Sequence, residues 1–237
     1  MTPAPTLIVR LQRLIEISYD WRTGIADLTP FLIGDQGYQA LYGEREILEE
    51  VPGPEVGPRT LVTSRDGAVR LGIYYPDAMV RRLEAASPLL GLNEQNLVPF
   101  THLVEELDHF LMLAWCIRRG RGVSLLELEF HANVTKYLVL AHFLGRLRSQ
   151  NRLLQSERDW LVHCLFEDAG DGLPEPFRWR YRVAAQMGVR FLRQLETLSP
   201  AARVSALRRL GRKSWSEVRR SLESSRGGET LGLLLAS

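Results

Sequence analysis

Cysteine and long apolar runs are scarce in this sequence, and each shortage excludes a class of protein. Only two of the 237 residues are cysteines, Cys116 and Cys164, and both lie in apolar helical patterns. This excludes a disulfide scaffold or a cysteine-based zinc finger and favours packed, reduced thiols in a cytoplasmic protein. No run of about 18 apolar residues occurs, so no membrane-spanning helix is expected. The N-terminus also lacks a signal-peptide layout, because no basic residue precedes its apolar stretch.

Three short catalytic motifs are also absent. The sequence has no G-x-S-x-G nucleophile turn, no G-x-x-x-x-G-K-[ST] phosphate loop and no G-x-G-x-x-G dinucleotide turn. It therefore gives no sign of enzymes built on those motifs. Its composition is typical of a globular protein, with 45% hydrophobic residues over 237 positions. That length is enough for one large domain or two small ones.

The basic residues are concentrated towards the C-terminus. Residues 178–226 contain thirteen arginines or lysines against three glutamates, whereas residues 1–100 contain nine basic against thirteen acidic residues. Only Lys136 and Lys213 are lysines, so the excess is almost entirely arginine. Such a region suits an anionic partner such as nucleic acid or a membrane surface, or it forms a solvated helical face.

The periodicity predicts an α+β protein that is mainly α-helical, with a small antiparallel β-hairpin or sheet followed by a helical core. The hairpin is predicted around the turn Arg65-Asp66-Gly67, and Asp77 is predicted to cap the helix after it. Three segments are expected to form one compact domain: an N-terminal helical segment (1–50), a hairpin with a helical hairpin (59–150) and a basic helical region (151–225). The predicted helices cover 6–20, part of 35–50, 77–86, 97–118, 123–150, 156–166, 177–197 and 200–223.

Charged residues interrupt the apolar pattern of the helix predicted at 97–118. On a helical wheel His102, Glu105, Glu106 and His109 fall within an arc of about 100°, and apolar residues cover most of the remaining surface. Asp108 points away from this arc and is expected to meet solvent. Because buried carboxylates cost several kcal/mol unless they are compensated, the arc predicts a metal site, an internal salt-bridge network or a water-filled cleft.

Glu129 is a second carboxylate that needs a partner. It lies among apolar residues of the next helix, twenty residues after His109 and beyond a short turn. An antiparallel helical hairpin would let the two side chains face each other. Ser124 and Glu127 fit a capping box at the start of this helix.

The stretch Glu105-Glu106-Leu107-Asp108-His109 resembles the H-E-x-x-H helix of zincin metallopeptidases, with Glu105 in place of the first histidine. In gluzin-type zincins a third ligand follows on the next helix, where Glu129 stands. The resemblance implies that Glu105, His109 and Glu129 hold a divalent metal and that Glu106 is the general base. Two carboxylates with one imidazole form a harder donor set than the usual one, which suits Mn²⁺ or Fe²⁺ as well as Zn²⁺.

The same residues allow interpretations without an active site, including a degenerate zincin-like protein whose motif has lost its first histidine. Glu105 and His109 at i and i+4 can pair on a helix face with no metal, in a non-catalytic adaptor that binds a protein partner. Glu106-Leu107-Asp108-His109 also matches the ExxH of di-iron helical bundles, but no second ExxH occurs in the chain.

Overall fold

The computed structural model describes residues 6–42, 57–146, 153–167, 169–175 and 177–224. Over these residues the predicted fold class is confirmed, since a small sheet accompanies a mainly helical chain. The helices are α1 (Leu7–Tyr19), α2 (Asp35–Tyr42), α3 (Asp77–Ala85), α4 (Leu97–Arg118), α5 (Leu125–Arg146), α6 (Gln155–Phe166), α7 (Phe177–Glu196), α8 (Pro200–Arg212) and α9 (Trp215–Ser224), and the strands are β1 (Leu32–Ile33), β2 (Arg59–Arg65) and β3 (Ala68–Tyr74).

The sheet has the strand order β1-β3-β2. Strands β2 and β3 form the predicted antiparallel hairpin, with Arg65 paired to Ala68 across a two-residue turn. Asp66 and Gly67 both have positive φ, as a turn of the hairpin-forming I′ type requires. Strand β1 pairs with β3 in parallel through two residues. A two-residue strand is too short to show alternation, so the sequence pattern could not reveal it.

Helices α4 and α5 occupy the centre of the molecule. Both are apolar on nearly all sides, and buried residues run along most of their length. Helix α7 and α6 pack against α5, while α1, α3 and the sheet pack against α4. Buried apolar side chains from Leu11 to Leu222 belong to one core cluster, which therefore includes residues of all three predicted segments.

Two local predictions were wrong. The helix predicted over 200–223 is broken: α8 ends at Arg212, Lys213 is extended, and the Ser214 backbone N–H and hydroxyl both bond the Glu217 carboxylate to start α9. Competition of this kind from a serine and a nearby carboxylate favours a helix start over continuation. Asp77 lies inside α3, whose N-cap is Pro76.

The start of α5 agrees with the predicted position to within two residues, and some other predicted boundaries lie outside the described residues. Helix α5 begins at Leu125 after a turn, with Ser124 Oγ accepting the Glu127 N–H at 3.2 Å. The Glu127 side chain pairs with Arg121, so only one half of the predicted capping box forms. Residues 43–56 and 147–152, which include parts of the helices predicted within 35–50 and over 123–150, lie outside the described residues. Within the described part of the chain, no helix is both long and apolar enough to cross a membrane.

Candidate metal centre between two central helices

Helices α4 and α5 run in opposite directions and face each other through polar side chains. The contacts pair Asp108 with His131, His109 with Glu129, and Glu105 with Lys136. Each step towards the C-terminus on α4 is thus matched by a step towards the N-terminus on α5. This is the antiparallel hairpin expected from the sequence, and it brings carboxylates of both helices into one buried layer.

The structure brings together the three residues named as metal ligands. Glu105, His109 and Glu129 each offer one ligand atom within 4.8 Å of the others. His109 Nε2 lies 3.9 Å from Glu129 Oε2, with the two side chains 13% and 9% exposed. Their proximity follows from the helical spacing of Glu105 and His109 and from the register of α5 against α4.

Two basic side chains share this layer, and the sequence interpretation had missed both. Lys136 Nζ lies 3.1 Å from Glu105 Oε1, and Arg180 Nε of α7 lies 3.7 Å from Glu129 Oε1. Lys136 could have been noticed, because a lysine in the apolar α5 pattern needs a buried anion. Arg180 could not, because only the packing of α7 on α5 brings it here. Together they balance part of the negative charge.

Glu106 adjoins the three-residue cluster but has a separate partner. Its Oε2 atom accepts a hydrogen bond of 2.8 Å from Thr60 Oγ1, and the same hydroxyl lies 3.2 Å from the Glu106 carbonyl oxygen. Thr60 belongs to the edge strand β2. The contact therefore ties the edge of the sheet to the middle of α4 and orients the Glu106 carboxylate.

Burial and neighbouring opposite charges shift the pKa values of these groups in opposite directions. Burial raises the pKa of Glu105, but Lys136 and the neighbouring histidines outweigh it and hold that pKa below its ordinary value. Burial raises the pKa of Glu106 to about 7, although the adjacent His109 opposes the shift. Burial also raises the pKa of Glu129. For His109 burial lowers the pKa, yet the surrounding carboxylates dominate and raise it.

The prediction that Asp108 meets solvent was wrong. Asp108 is 0% exposed, and its carboxylate oxygens lie 3.0 and 2.9 Å from His131 Nδ1. Thr135 Oγ1 donates to Asp108 Oδ1 at 2.6 Å, and the Tyr19 hydroxyl lies 2.9 Å from that Oγ1. The wheel had placed Asp108 outside the polar arc correctly, but α1 and α5 cover that side of α4 with polar partners.

The two histidines of the α4–α5 layer, His109 and His131, differ in their bonding. Asp108 engages His131 Nδ1, and the rings of Tyr19 and Trp21 lie 4.1 and 4.7 Å from the His131 ring. His109 Nδ1 is buried without a hydrogen-bond partner among the described residues. Its other nitrogen lies 3.9 Å from Glu129, beyond hydrogen-bonding distance. Each of the two rings thus has one buried nitrogen without a hydrogen bond among the described residues, His109 Nδ1 and His131 Nε2. His109 differs in having no carboxylate within hydrogen-bonding distance of its ring.

The remaining polar residues do not form a second centre in the described ranges. His142 on α5 is exposed, and His163 forms an exposed pair with Glu167. Cys164 is exposed and Cys116 is buried, and neither forms a disulfide. Among described residues, the group of Glu105, His109 and Glu129 is the one cluster with metal-ligand spacing.

Comparison of the chain with protein-family models, with curated proteins and with solved structures gave no match.

Proposed function

We propose that this protein is a zincin-like, metal-dependent hydrolase. Its divalent metal would be held between α4 and α5 by Glu105, His109 and Glu129, and Glu106 would act as the general base. The observation that carries the proposal is the hydrogen bonding of His109 and its position beside Glu105 and Glu129. A largely buried histidine beside two carboxylates, with no hydrogen bond to either, is an arrangement that a metal ion can complete.

The donor set fits a divalent cation with small adjustments. Ligand atoms bound at about 2.1 Å in tetrahedral geometry lie about 3.4 Å apart. The donor atoms of the three residues lie within 4.8 Å of one another, so ligation needs an approach of at most about 1.4 Å. Rotation of a glutamate side chain can supply this. Two carboxylates and one imidazole suit Zn²⁺, Mn²⁺ or Fe²⁺, as the sequence suggested.

The metal and Lys136 would compete for Glu105. Lys136 Nζ lies 3.1 Å from Glu105 Oε1, so this ammonium group must withdraw when the carboxylate takes up a ligand role. Its flexible stem allows this movement, because four rotatable bonds separate the ammonium from the backbone. The lysine would thus stabilise the metal-free state and lower the apparent metal affinity.

Glu106 is well placed for proton transfer. Thr60 occupies its Oε2 atom, which leaves Oε1 as the atom to accept a proton from a water molecule. The Thr60 bond fixes the carboxylate plane, so Thr60 would be a positioning residue. A divalent cation at the neighbouring ligands would supply Lewis acidity, polarising the substrate and making water easier to deprotonate.

A second candidate function rests on the same two cations. Lys136 and Arg180 lie beside Glu105 and Glu129, as expected of a structural salt-bridge network in a non-catalytic adaptor. In that case the layer would contribute to a defined α4–α5 register and need no metal. The two functions differ in metal content and in the effect of removing a single ligand.

The deciding experiment is elemental analysis of the purified, untagged protein by mass spectrometry. Near-stoichiometric Zn, Mn or Fe is expected, and it should be lost in Glu105→Gln and His109→Ala while circular dichroism shows folded protein. His142→Ala, an exposed histidine on α5, is the matched control and should keep the metal. Metal-free protein that takes up none of the three ions on reloading would favour the structural network.

Catalysis is tested separately with Glu106→Gln. This variant should retain fold and metal but lose hydrolysis of a substrate found by screening peptide and ester libraries. Loss of a general base costs about 10² to 10⁴-fold in rate. Full activity in Glu106→Gln would remove this residue from the proposed mechanism.

A further inference from the structure

An open cavity lies where the C-terminal ends of three helices meet, and its lining contains none of the proposed metal ligands. It has a volume of about 490 Å³. Helix α1 ends at Tyr19, α4 at Arg118 and α8 at Arg212, and the cavity forms among residues within about one turn of these ends. The lining consists of one buried tryptophan, one aspartate and four arginines: Trp115, Asp20, Arg22, Arg118, Arg119 and Arg212.

The lining carries a strong positive charge. Four arginines against one aspartate give a formal charge of 4 − 1 = +3. Asp20 pairs with Arg212, and this bond, together with Arg208 and Arg22, holds the pKa of the Asp20 carboxyl below its ordinary value. The partial negative charge at three helix C-termini offsets some arginine repulsion, which explains how the cluster forms in the free protein. The positive excess remains available to an anion.

Two of the arginines are held in defined positions. Arg118 Nη1 donates to the Thr23 carbonyl at 2.8 Å. Gly24 makes room for this side chain, because a Cβ at Gly24 would lie 1.8 Å from Arg118 Nη1. The Arg119 guanidinium lies 5.0 Å from the centre of the Trp115 ring. Guanidinium groups placed by the scaffold lose less conformational entropy when they bind a ligand.

We propose that this cavity binds a small molecule bearing two or more linked phosphates. Arginine forks donate paired hydrogen bonds to phosphate oxygens, and several converging forks match a polyphosphate chain better than a single anion. The volume lies in the range of small-molecule sites. The site combines Arg212 of the basic C-terminal region with three arginines from outside it.

The geometry favours a small polyphosphate over a nucleic acid. A single-strand reader needs an exposed aromatic face on which bases stack. Trp115 is 4% exposed, Trp21 stacks beside it with ring centres 5.8 Å apart, and Arg119 lies over its ring. The arginines also converge on one concavity instead of following a line, as contacts to successive backbone phosphates would require.

The polyphosphate site is independent of the proposed hydrolase. None of the residues that line the cavity is a proposed metal ligand or general base. The nearest ligand on α4 is His109, six residues before Trp115, which is about 9 Å along the helix axis. Binding at the cavity therefore has a readout that does not need a metal at the other site. Metal-free protein should be used, because polyphosphates themselves bind divalent cations.

The test is calorimetric titration of the full-length, metal-free protein with inorganic tripolyphosphate at low ionic strength. Saturable one-to-one binding is expected, with affinity that falls as salt is added. Arg22→Gln and Arg119→Gln should each weaken binding about tenfold, since each removes a charge-assisted contact. Arg81→Gln, an exposed arginine of α3 outside the cavity, should bind like the wild type.

Three results would overturn the proposal. One is no detectable binding of tripolyphosphate at millimolar concentration. Another is equal affinity in wild type, Arg22→Gln and Arg119→Gln. The third is tight binding of duplex DNA or RNA that tripolyphosphate does not displace, which would assign the arginines to a nucleic-acid surface.

Discussion

Replacing Lys136 with methionine tests whether the α4–α5 layer holds a metal or a permanent ion pair. Lys136 Nζ and Glu105 Oε1 are 3.1 Å apart, and the two side chains are 10% and 12% exposed. Lys136→Met keeps the apolar stem and removes the charge, so Glu105 is left buried without its nearest cation. The chain offers a matched control in Lys213, its one other lysine, at the end of α8.

Lys136→Met should lower the stability of the metal-free protein and raise its affinity for metal. Removing one partner of a buried pair destabilises a fold by about 3–5 kcal/mol, because the remaining charge is uncompensated. The metal-free Lys136→Met variant should lose an amount of this order. A metal ion bound by Glu105 would replace the lost cation and would no longer compete with Lys136. Its affinity should therefore rise roughly a hundredfold or more in the variant, which corresponds to about 2.7 kcal/mol.

Urea unfolding measured in chelator and in excess Zn²⁺ or Mn²⁺ gives both quantities. Lys136→Met should be much less stable than wild type in chelator and should recover most of the difference in metal, as linkage to native-state binding requires. Lys213→Met should change neither curve. An equal loss of stability with and without metal would mean that no ion replaces the lysine charge, and it would refute the metal-site argument.

Three further predictions concern other parts of the molecule. Thr135→Val removes the hydroxyl that donates to buried Asp108 at 2.6 Å, so the free energy of unfolding should fall by about 1.5–3 kcal/mol in urea titrations; a loss under about 0.5 kcal/mol would contradict this. Burial raises the pKa of Glu106 to about 7 from 4.5, so in metal-free protein its contribution to stability is full below about pH 4.5 and is lost as pH rises through 7. The stability of Glu106→Gln relative to wild type should therefore be up to about 3 kcal/mol greater at pH 8 than at pH 4.5. A difference in stability that does not change with pH would refute the shift. Gly24 has a φ of +78°, and a Cβ added there would lie 1.8 Å from Arg118 Nη1, so Gly24→Ala should displace the Arg118 side chain. Calorimetry should then show weaker tripolyphosphate binding, while the metal content stays unchanged. Unaltered affinity would show that Arg118 takes no part in binding.

Most of the local structure, and the polar pairing within one helical hairpin, could be predicted from the sequence alone. Apolar periodicity located α4 and α5, and the Asp66-Gly67 turn located the β-hairpin, because these signals depend on residues close in the chain. Helical spacing put Glu105 and His109 on one face, and a short turn allowed Glu129 to meet them. The metal-dependent hydrolase remains a proposal built on that pairing.

Tertiary structure decided which groups surround the polar residues. Periodicity gives the direction of a side chain about its own helix axis, but the rotation and register of neighbouring helices determine what it meets. For that reason Asp108, expected in solvent, is buried against His131, and Arg180, 51 residues after Glu129, reaches it from another helix. The arginine cavity likewise exists only because three helix ends, distant in sequence, meet in space.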